Sequence, residues 1–220
     1  MIEILQRFPR RLWSAFDEST KRRPLLTKCA VGAVLGTTGD LGVQAMERRQ
    51  KATQGASDSL QTAGTRIDAA RTTRIAIWRA TLHTTFAHHW FNLLERSVPG
   101  SAPALVAKKI FLDQVFASPF LHVFFLPYMA LAEGHTMEEA VGRTRENFVK
   151  LLQASYCYWP FVHCITFSVI PLRHRVAFVN IAAVFWMATL SALNQTAREA
   201  DRLGTTGTNA GGEVLCDTKP

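Results

Sequence analysis

The sequence predicts an all-α integral membrane protein, a helical bundle with about four or five transmembrane segments. Two stretches, 151–170 and 176–193, contain no Asp, Glu, Lys or Arg and reach or approach the length that crosses a bilayer. Polar and charged side chains also lie within the apolar segments, where a bundle must turn them toward each other or toward water. The composition of the whole chain, 48% hydrophobic and 19% charged, hides this pattern.

Five apolar segments of unequal strength follow one another along the chain, and the last two are the strongest. Their predicted bounds are 25–46, 75–94, 110–132, 151–172 and 176–195. Before the fourth segment, residues 137–152 have the pattern of an amphipathic helix. We expect this helix either to lie at the membrane surface or to lead into the fourth span.

Three stretches flank or interrupt the predicted bundle of residues 24–195. Residues 1–23 form a basic, weakly amphipathic amino-terminal segment without the features of a secretory signal. Residues 47–74 are polar and contain several Gly and Ser residues, so we expect a loop or a disordered insertion. Residues 196–220 end in a Gly- and Thr-rich stretch, which predicts a disordered tail.

The net charge of +8 favours contact with an anionic surface, and the placement of the basic residues indicates which kind. Lysines and arginines flank the apolar segments, and no nucleic-acid-binding motif is present. This placement favours lipid head groups over nucleic acid. Lys and Arg are equally frequent on the two sides of a five-span bundle, so their distribution predicts no orientation in the membrane.

The first segment carries small residues at helical spacing. Gly32 and Gly36 are four residues apart, and Gly39 follows three residues later. Glycines at this spacing share a helix face and let another backbone approach closely. We therefore expect these three glycines to form a helix-packing face.

Polar and charged residues occur at membrane depth in three of the segments. They are Asp40, Gln44, Arg79, His83, Asp113 and Gln114. A charged side chain facing lipid costs about 2.5 to 3.5 kcal/mol at mid-depth, so these groups should face the bundle interior or water. One interpretation is that they line a hydrophilic path. The other is that they form buried structural pairs, Asp with Arg, which hold the helices together.

The sequence contains no arrangement typical of catalysis or metal binding. The four cysteines form no CxxC pair, and the seven histidines have no zinc-binding spacing. No phosphate-binding loop or nucleophile motif is present. We therefore predict that the protein is not an enzyme and has no catalytic residue, cofactor or metal.

Taken in order, these residues resemble the Mpv-type family, the 22-kilodalton peroxisomal membrane protein family, over about residues 12–191. In the first half, the resemblance rests on Pro24 and Lys28, on Gly39-Asp40 with Gln44, and on Asp113-Gln114. The carboxyl-terminal half is the more specific, and it matches at Trp159, Pro160, Phe167, Pro171, Arg173, Arg175, Asn180 and Trp186.

The resemblance implies a non-selective channel or pore for small solutes and ions in an organelle membrane, which affects membrane potential and metabolite homeostasis without a cofactor. The expected membrane is the mitochondrial inner membrane, with the peroxisomal membrane as the alternative. The expected partners are the lipid bilayer, small solutes or ions, and a second copy of the chain, but not nucleic acid. The resemblance favours a water-lined path at Asp40, Gln44, Asp113 and Gln114. The alternative function is a non-conducting scaffold that binds another membrane protein through its Gly32–Gly36 face.

The chain departs from the family pattern at four positions. Arg79 stands where a glycine is usual and Thr85 where a proline is usual, while His163 and Thr166 replace amide side chains. These departures do not affect the predicted fold, but they do affect the expected pore size and charge preference. An arginine that faces a pore would favour anions, whereas one that pairs with Asp40 or Asp113 would narrow or close the path.

Overall fold

The computed structural model describes residues 14–54 and 67–210, with side chains for 14–49 and 67–191. Within these ranges the chain forms six helices and no strand. Two helices, α3 and α4, each contain one π-helical turn. The helices are α1 (described over 14–22), α2 (Pro24–Gln54), α3 (Ala69–Trp78, the π turn Arg79–His83 and Thr84–Ser97), α4 (Pro103–Leu112, the π turn Asp113–Ala117 and Ser118–Ala132), α5 (Met137–Ser168) and α6 (Leu172–Ala210).

Polar caps and glycine turns set the helix ends. Asp68 caps α3 by accepting a hydrogen bond from the backbone of its first turn, and Thr136 and Glu139 form a reciprocal capping box at the start of α5. Gly100 and Gly134, in the turns before α4 and α5, have φ of 104° and 93°, which glycine adopts without strain. Short turns of defined geometry therefore connect α3, α4 and α5.

The five long helices close into a ring. Helix α2 packs along α3 and α6, α4 packs along α5, and contacts of α3 with α4 and of α5 with α6 complete it. An apolar cluster centred on Phe91 and Phe167 joins α3, α4, α5 and α6 inside the ring. The ring leaves an interior that side chains from four of these helices, α3, α4, α5 and α6, reach.

Glycines on α2 allow its close contacts with both neighbours. A Cβ atom on Gly32 would lie 2.7 Å from Thr84 Oγ1 of α3. On Gly36 and Gly39 it would lie 3.0 Å and 3.1 Å from the nearest side-chain atoms of α3 and α6. All three glycines expected to form a packing face lie at helix contacts within this chain.

Apolar side chains cover much of the outer surface, while charged and polar side chains lie inside. Phe161, Val169 and Phe111 are 75%, 72% and 65% exposed. Asp40 and Lys109, by contrast, are 0% exposed. A soluble protein buries its large apolar groups and leaves its charges in water, whereas a bilayer favours the arrangement seen here.

Among the described residues, two helical stretches are long and apolar enough to cross a bilayer. They are Pro103–Ala132 and Leu172–Ser191. Only 17% of the apolar window in the first is buried inside the protein, so most of this stretch faces outward. The predicted all-α fold is confirmed, and the count of four or five spans stays a prediction.

The helices extend beyond several predicted boundaries. The range 47–74, predicted to be a loop, is helical up to Gln54 and again from Ala69, while 55–66 lies outside the described residues. Helix α6 continues to Ala210 through much of the predicted tail, and 211–220 lies outside the described residues. Apolar runs mark the depth of a membrane, and a helix can continue past it with polar side chains. The expectation of irregular structure at 47–54, 69–74 and 196–210 is therefore corrected.

The amphipathic stretch 137–152 and the fourth apolar segment form one helix, α5. This is the case in which the amphipathic part leads into the span. The helix ends at Ser168, and Pro171 lies in the turn before α6, where its carbonyl accepts a 2.8 Å hydrogen bond from His174 N. In the amino-terminal segment 1–23, residues 14–22 are helical and 1–13 lie outside the described residues.

Candidate functional site

A cavity of about 140 Å³ lies inside the ring between α3, α4, α5 and α6. A water molecule needs about 10–15 Å³ measured in this way, so the cavity has room for several. Much of its wall is aromatic, with four tryptophans, and a smaller polar part contains charged residues. The polar lining consists of Arg79, His83, Asp113, Ser118, His122, Ser155 and His163.

The two π-helical turns place charged residues on the cavity wall. Arg79 begins the π turn of α3 and His83 ends it, while Asp113 begins the π turn of α4. A π turn holds an additional residue and so rotates the side chains that follow it, and such turns are frequent at functional sites. Gly36 gives the turn of α3 its space, since a Cβ there would lie 3.0 Å from Arg79 Cγ.

Arg79 and His83 form a buried pair. Arg79 is 9% exposed, and its Nη1 lies 3.2 Å from Nε2 of His83. Because a guanidinium can only donate, His83 Nε2 accepts, and its proton resides on Nδ1. That Nδ1 is buried and has no hydrogen-bond partner among the described residues. The pair therefore carries a positive charge and an unused donor.

Asp113 accepts hydrogen bonds from two side chains and is paired with a third, His163. Its Oδ1 accepts a 2.8 Å hydrogen bond from Trp90 Nε1 of α3. Its Oδ2 lies 3.0 Å from His163 Nε2 of α5 and accepts a 3.2 Å hydrogen bond from Gln114 Nε2. The carboxylate is thus fixed at the cavity wall. The sequence left open a pairing of Asp113 with Arg79, but in the structure Asp113 is paired with His163.

Hydroxyl and imidazole groups connect α4 to α5 beside this carboxylate. Ser118 Oγ and Ser155 Oγ lie 3.0 Å apart, and His122 Nδ1 lies 2.7 Å from the Ser118 carbonyl. The sequence did not indicate that Ser118, His122 and Ser155 share a wall, and His163 stood out in it only as a departure from the family pattern. Their spacing along α4 and α5 gave no sign that they share a cavity.

Asp40 and Gln44 lie in a separate cluster between α2 and the start of α3. Asp40 Oδ2 accepts hydrogen bonds from Thr72 Oγ1 at 2.6 Å and Gln44 Nε2 at 2.8 Å, and Arg71 Nε lies 2.9 Å from Oδ1. Gln44 also exchanges hydrogen bonds with the Asp68 backbone, at 2.8 and 3.1 Å. This Asp40 cluster fastens two helices together, and neither Asp40 nor Gln44 lines the cavity.

The six residues proposed for a polar path are therefore divided by the fold. Arg79, His83 and Asp113 line the cavity. Gln114 lies behind Asp113, with its Oε1 buried and without a hydrogen-bond partner among the described residues. Asp40 and Gln44 belong to the other cluster, so the two Asp/Gln sites do not meet. The roles of all six stay predictions.

A third charged cluster closes one end of the ring. Glu95 Oε2 lies 2.8 Å from Lys109 Nζ and 2.7 Å from Arg175 Nη1, which joins α3, α4 and α6. Arg175 also lies over the ring of Phe167, 5.5 Å from its centroid. Burial would raise the pKa of Glu95, but the hydrogen bonds and charges of Lys109 and Arg175 outweigh it and lower that pKa to about 2.

The remaining residues of the resemblance lie at a helix end, within helices or at the cavity wall. Pro24 begins α2, Arg173 lies 3.3 Å from Asp17 of α1, and Pro160 lies within α5. A hydrogen bond from Lys21 lowers the pKa of Asp17, which favours this contact. Two further residues, Trp159 and Trp186, line the cavity. Asn180 is 2% exposed, and its side-chain atoms have no hydrogen-bond partner among the described residues.

An apolar outer surface, a ring of long helices and a polar interior define a small multi-helix membrane protein. A model of the Mpv17 / PMP22 family matches residues 130–191. Protein sym-1 of Neurospora crassa is 33% identical over 175 residues, 78% of this chain and 92% of that protein. Protein SYM1 of Gibberella zeae is 32% identical over 181 residues (81% and 95%), and Peroxisomal membrane protein 2 of Bos taurus is 29% identical over 188 residues (85% and 91%).

The chain belongs to the Mpv17 / PMP22 family, which confirms the resemblance in its sequence. The predicted class of all-α membrane protein is confirmed with it. No solved structure matches the chain.

Proposed function

We propose that this protein lets small solutes and ions cross an organelle membrane through the interior of its helix ring. The observation that carries the proposal is the cavity, whose wall contains the buried charges of Arg79 and Asp113 inside an apolar exterior. Ionisable groups at membrane depth are costly to keep, and they mark solute or ion pathways in many membrane proteins.

The polar path in this proposal is narrower than the six residues singled out in the sequence. Asp40 and Gln44 have a structural use, since they hydrogen-bond to each other and to Thr72, and Gln44 also accepts from the Asp68 backbone at the start of α3. His83 and His163 retain unused hydrogen-bonding capacity at the wall, because Nδ1 of each has no partner among the described residues. Together with Arg79 and Asp113, they are the groups that we expect a passing solute to meet.

The scaffold alternative loses the surface on which it depended. Its partner was expected to bind the Gly32–Gly36 face, and α3 of the same chain already covers that face. A partner helix could reach these glycines only by displacing Arg79 and Thr84. The geometry therefore favours the solute path.

The proposed location is a mitochondrial inner or a peroxisomal membrane. One relative carries the name Peroxisomal membrane protein 2, which supports the second of these. Fluorescence imaging of a tagged copy against markers for both organelles tests the location: coincidence with neither marker would contradict it.

Flux across liposomes containing the purified protein tests the function. We expect release of a small neutral solute such as erythritol and of small ions above the rate of protein-free liposomes. Filling the cavity by Ala117→Phe should abolish the release, because Ala117 lines the cavity and is 3% exposed. The matched control is Val115→Phe, two residues earlier on α4 at a position that is 44% exposed.

Folded wild-type protein that releases nothing above background would refute the proposal. So would an Ala117→Phe protein that folds as the wild type does and releases solute at the same rate. Helix content and monodispersity in detergent establish folding for both variants before reconstitution.

A further inference from the structure

A buried cation faces the cavity without an acidic partner. Arg79 is 9% exposed, and its neighbour in the cavity wall is His83, which accepts a hydrogen bond and adds no negative charge. Among the described residues, no Asp or Glu lies within ion-pair distance of the Arg79 guanidinium. A buried guanidinium is costly unless an anion balances it, so the site is incomplete as it stands.

The other charged and titratable groups of the wall do not balance it. The carboxylate of Asp113 already accepts hydrogen bonds from Trp90 and Gln114 and is paired with His163. His122 has its Nδ1 at the Ser118 carbonyl, where it must donate. Among the described side chains of α6, none that lines the cavity is charged. The excess positive charge therefore stays with Arg79.

We infer that the cavity binds a small monocarboxylate, with the carboxylate on Arg79 and the apolar part against the aromatic wall. This inference rests on the proposed function, since it assigns a solute class to the same path. A guanidinium presents two parallel N–H groups that match a carboxylate, and such pairs are shorter and stronger than neutral hydrogen bonds. The wall beside Arg79 contains Trp78, Phe86 and Phe125, which suit a short hydrocarbon chain.

Asp113 adds a preference for one negative charge over two. It lines the same cavity as Arg79 but outside ion-pair distance of it. A ligand with a second carboxylate would bring that group into a low-dielectric space next to the Asp113 charge, which repels it. The site should therefore prefer propionate to succinate.

Intrinsic tryptophan fluorescence of the full chain in detergent measures this binding directly, because Trp78, Trp90, Trp159 and Trp186 line the cavity. Propionate, succinate and propylammonium are titrated at constant ionic strength. We expect saturable binding of propionate, binding of succinate that is weaker by about tenfold or more, and no binding of propylammonium.

Variants at Arg79 identify the binding group. Arg79→Gln should weaken propionate binding by about tenfold or more, and Arg79→Lys should retain part of the affinity. Arg145→Gln removes the same charge at an exposed position of α5 and should leave the affinity unchanged. Equal propionate affinity in folded Arg79→Gln and wild type would overturn the inference.

If Arg79→Gln does not fold, the comparison of propionate with propylammonium binding by the wild type tests the inference. Propionate binding that exceeds propylammonium binding supports the inference, and equal or weaker binding overturns it. Erythritol release from liposomes separates this inference from the proposed function. Erythritol release without propionate binding refutes the monocarboxylate site alone, whereas folded protein that releases neither erythritol nor small ions refutes the proposed function.

Discussion

Replacing Glu95 with Gln should destabilise the protein, because it removes an acidic group that two buried cations share. Glu95 Oε2 lies 2.8 Å from Lys109 Nζ and 2.7 Å from Arg175 Nη1, and these cationic side chains are 0% and 7% exposed. Breaking a buried ion pair by removing one partner costs about 3–5 kcal/mol. The loss here should be smaller, because Glu95 is 29% exposed and Lys109 keeps a hydrogen bond to the Gly100 carbonyl.

We expect a decrease of about 2–3 kcal/mol in the free energy of unfolding. Titration of the protein with a denaturing detergent, followed by circular dichroism, measures this quantity. Glu146→Gln is the matched control, since it makes the same change at an exposed position of α5. A Glu95→Gln protein whose stability is within about 0.5 kcal/mol of the control would refute the reasoning.

The pH dependence of the same difference follows from the pKa of Glu95. Its pKa in the folded protein is lowered from 4.5 to about 2, because the hydrogen bonds and charges of Lys109 and Arg175 outweigh the opposing effect of burial. The carboxylate therefore stabilises the fold fully above the unfolded pKa, and this contribution is lost as the pH falls through the folded pKa. The difference between wild type and Glu95→Gln should be constant above pH 4.5 and shrink from there toward pH 2. A difference that grows on acidification would contradict this assignment.

Three other predictions concern the Asp40 cluster, the packing at Gly32 and the role of Asp113. Asp40→Asn should lower the free energy of unfolding by about 2–4 kcal/mol, because Asp40 is 0% exposed, hydrogen-bonded to Gln44 and Thr72 and paired with Arg71. Ion selectivity in bilayer recordings should stay unchanged. Altered ion selectivity in this variant would show that Asp40 contributes to the solute path. Gly32→Ala should cost about 1–3 kcal/mol, since its Cβ would meet Thr84 Oγ1 at 2.7 Å and the Arg79 carbonyl at 2.9 Å. Gly42→Ala, with nothing within 4 Å, should be neutral or slightly stabilising, and equal effects of the two would refute close packing at Gly32. Asp113→Asn should shift the reversal potential in the direction of greater anion selectivity, since it removes a negative charge from the cavity wall. An unchanged reversal potential in folded protein would show that Asp113 does not contribute to the path.

The general class of the protein could be predicted because bilayer physics leaves a strong pattern in sequence. Two charge-free runs and flanking arginines such as Arg173 and Arg175 indicate membrane helices without any knowledge of their neighbours. The helix ends could not be predicted equally well, since Glu47 and Arg48 interrupt the apolar pattern but not the helix. Hydropathy reports where the membrane ends, and the backbone hydrogen bonds continue beyond it.

The partner of each charged residue depends on helix register, which the sequence does not specify. Lys28 contacts His88, Gly32 contacts Thr84 and Gly36 contacts Arg79, one helical turn apart along antiparallel α2 and α3. This register puts Asp40 beside Thr72 and Arg71 and leaves Arg79 for the cavity. Any of the arginines on α3 could have met Asp40 as far as charge alone is concerned.

The two π-helical turns had no visible signal either. Each forms where tertiary contacts favour one additional residue in a turn, and neither Arg79–His83 nor Asp113–Ala117 has a local pattern that predicts it. The sequence did show that Arg79 and Asp113 are unusual at their depth. It could not show that they share a wall with His163 and Ser155, which come from another helix.

Access of water-soluble reagents to the cavity during solute flux tests the proposed path most directly. In a variant whose four native cysteines are replaced, Ser155→Cys places a thiol on the cavity wall. A charged, membrane-impermeant thiol reagent should modify this residue in liposomes and stop erythritol release, while leaving release by the cysteine-free parent unchanged. A Ser155→Cys protein that is modified and still releases erythritol at the parent rate, or that releases erythritol but resists modification from both sides of the membrane, would contradict the proposal that solutes pass through this cavity.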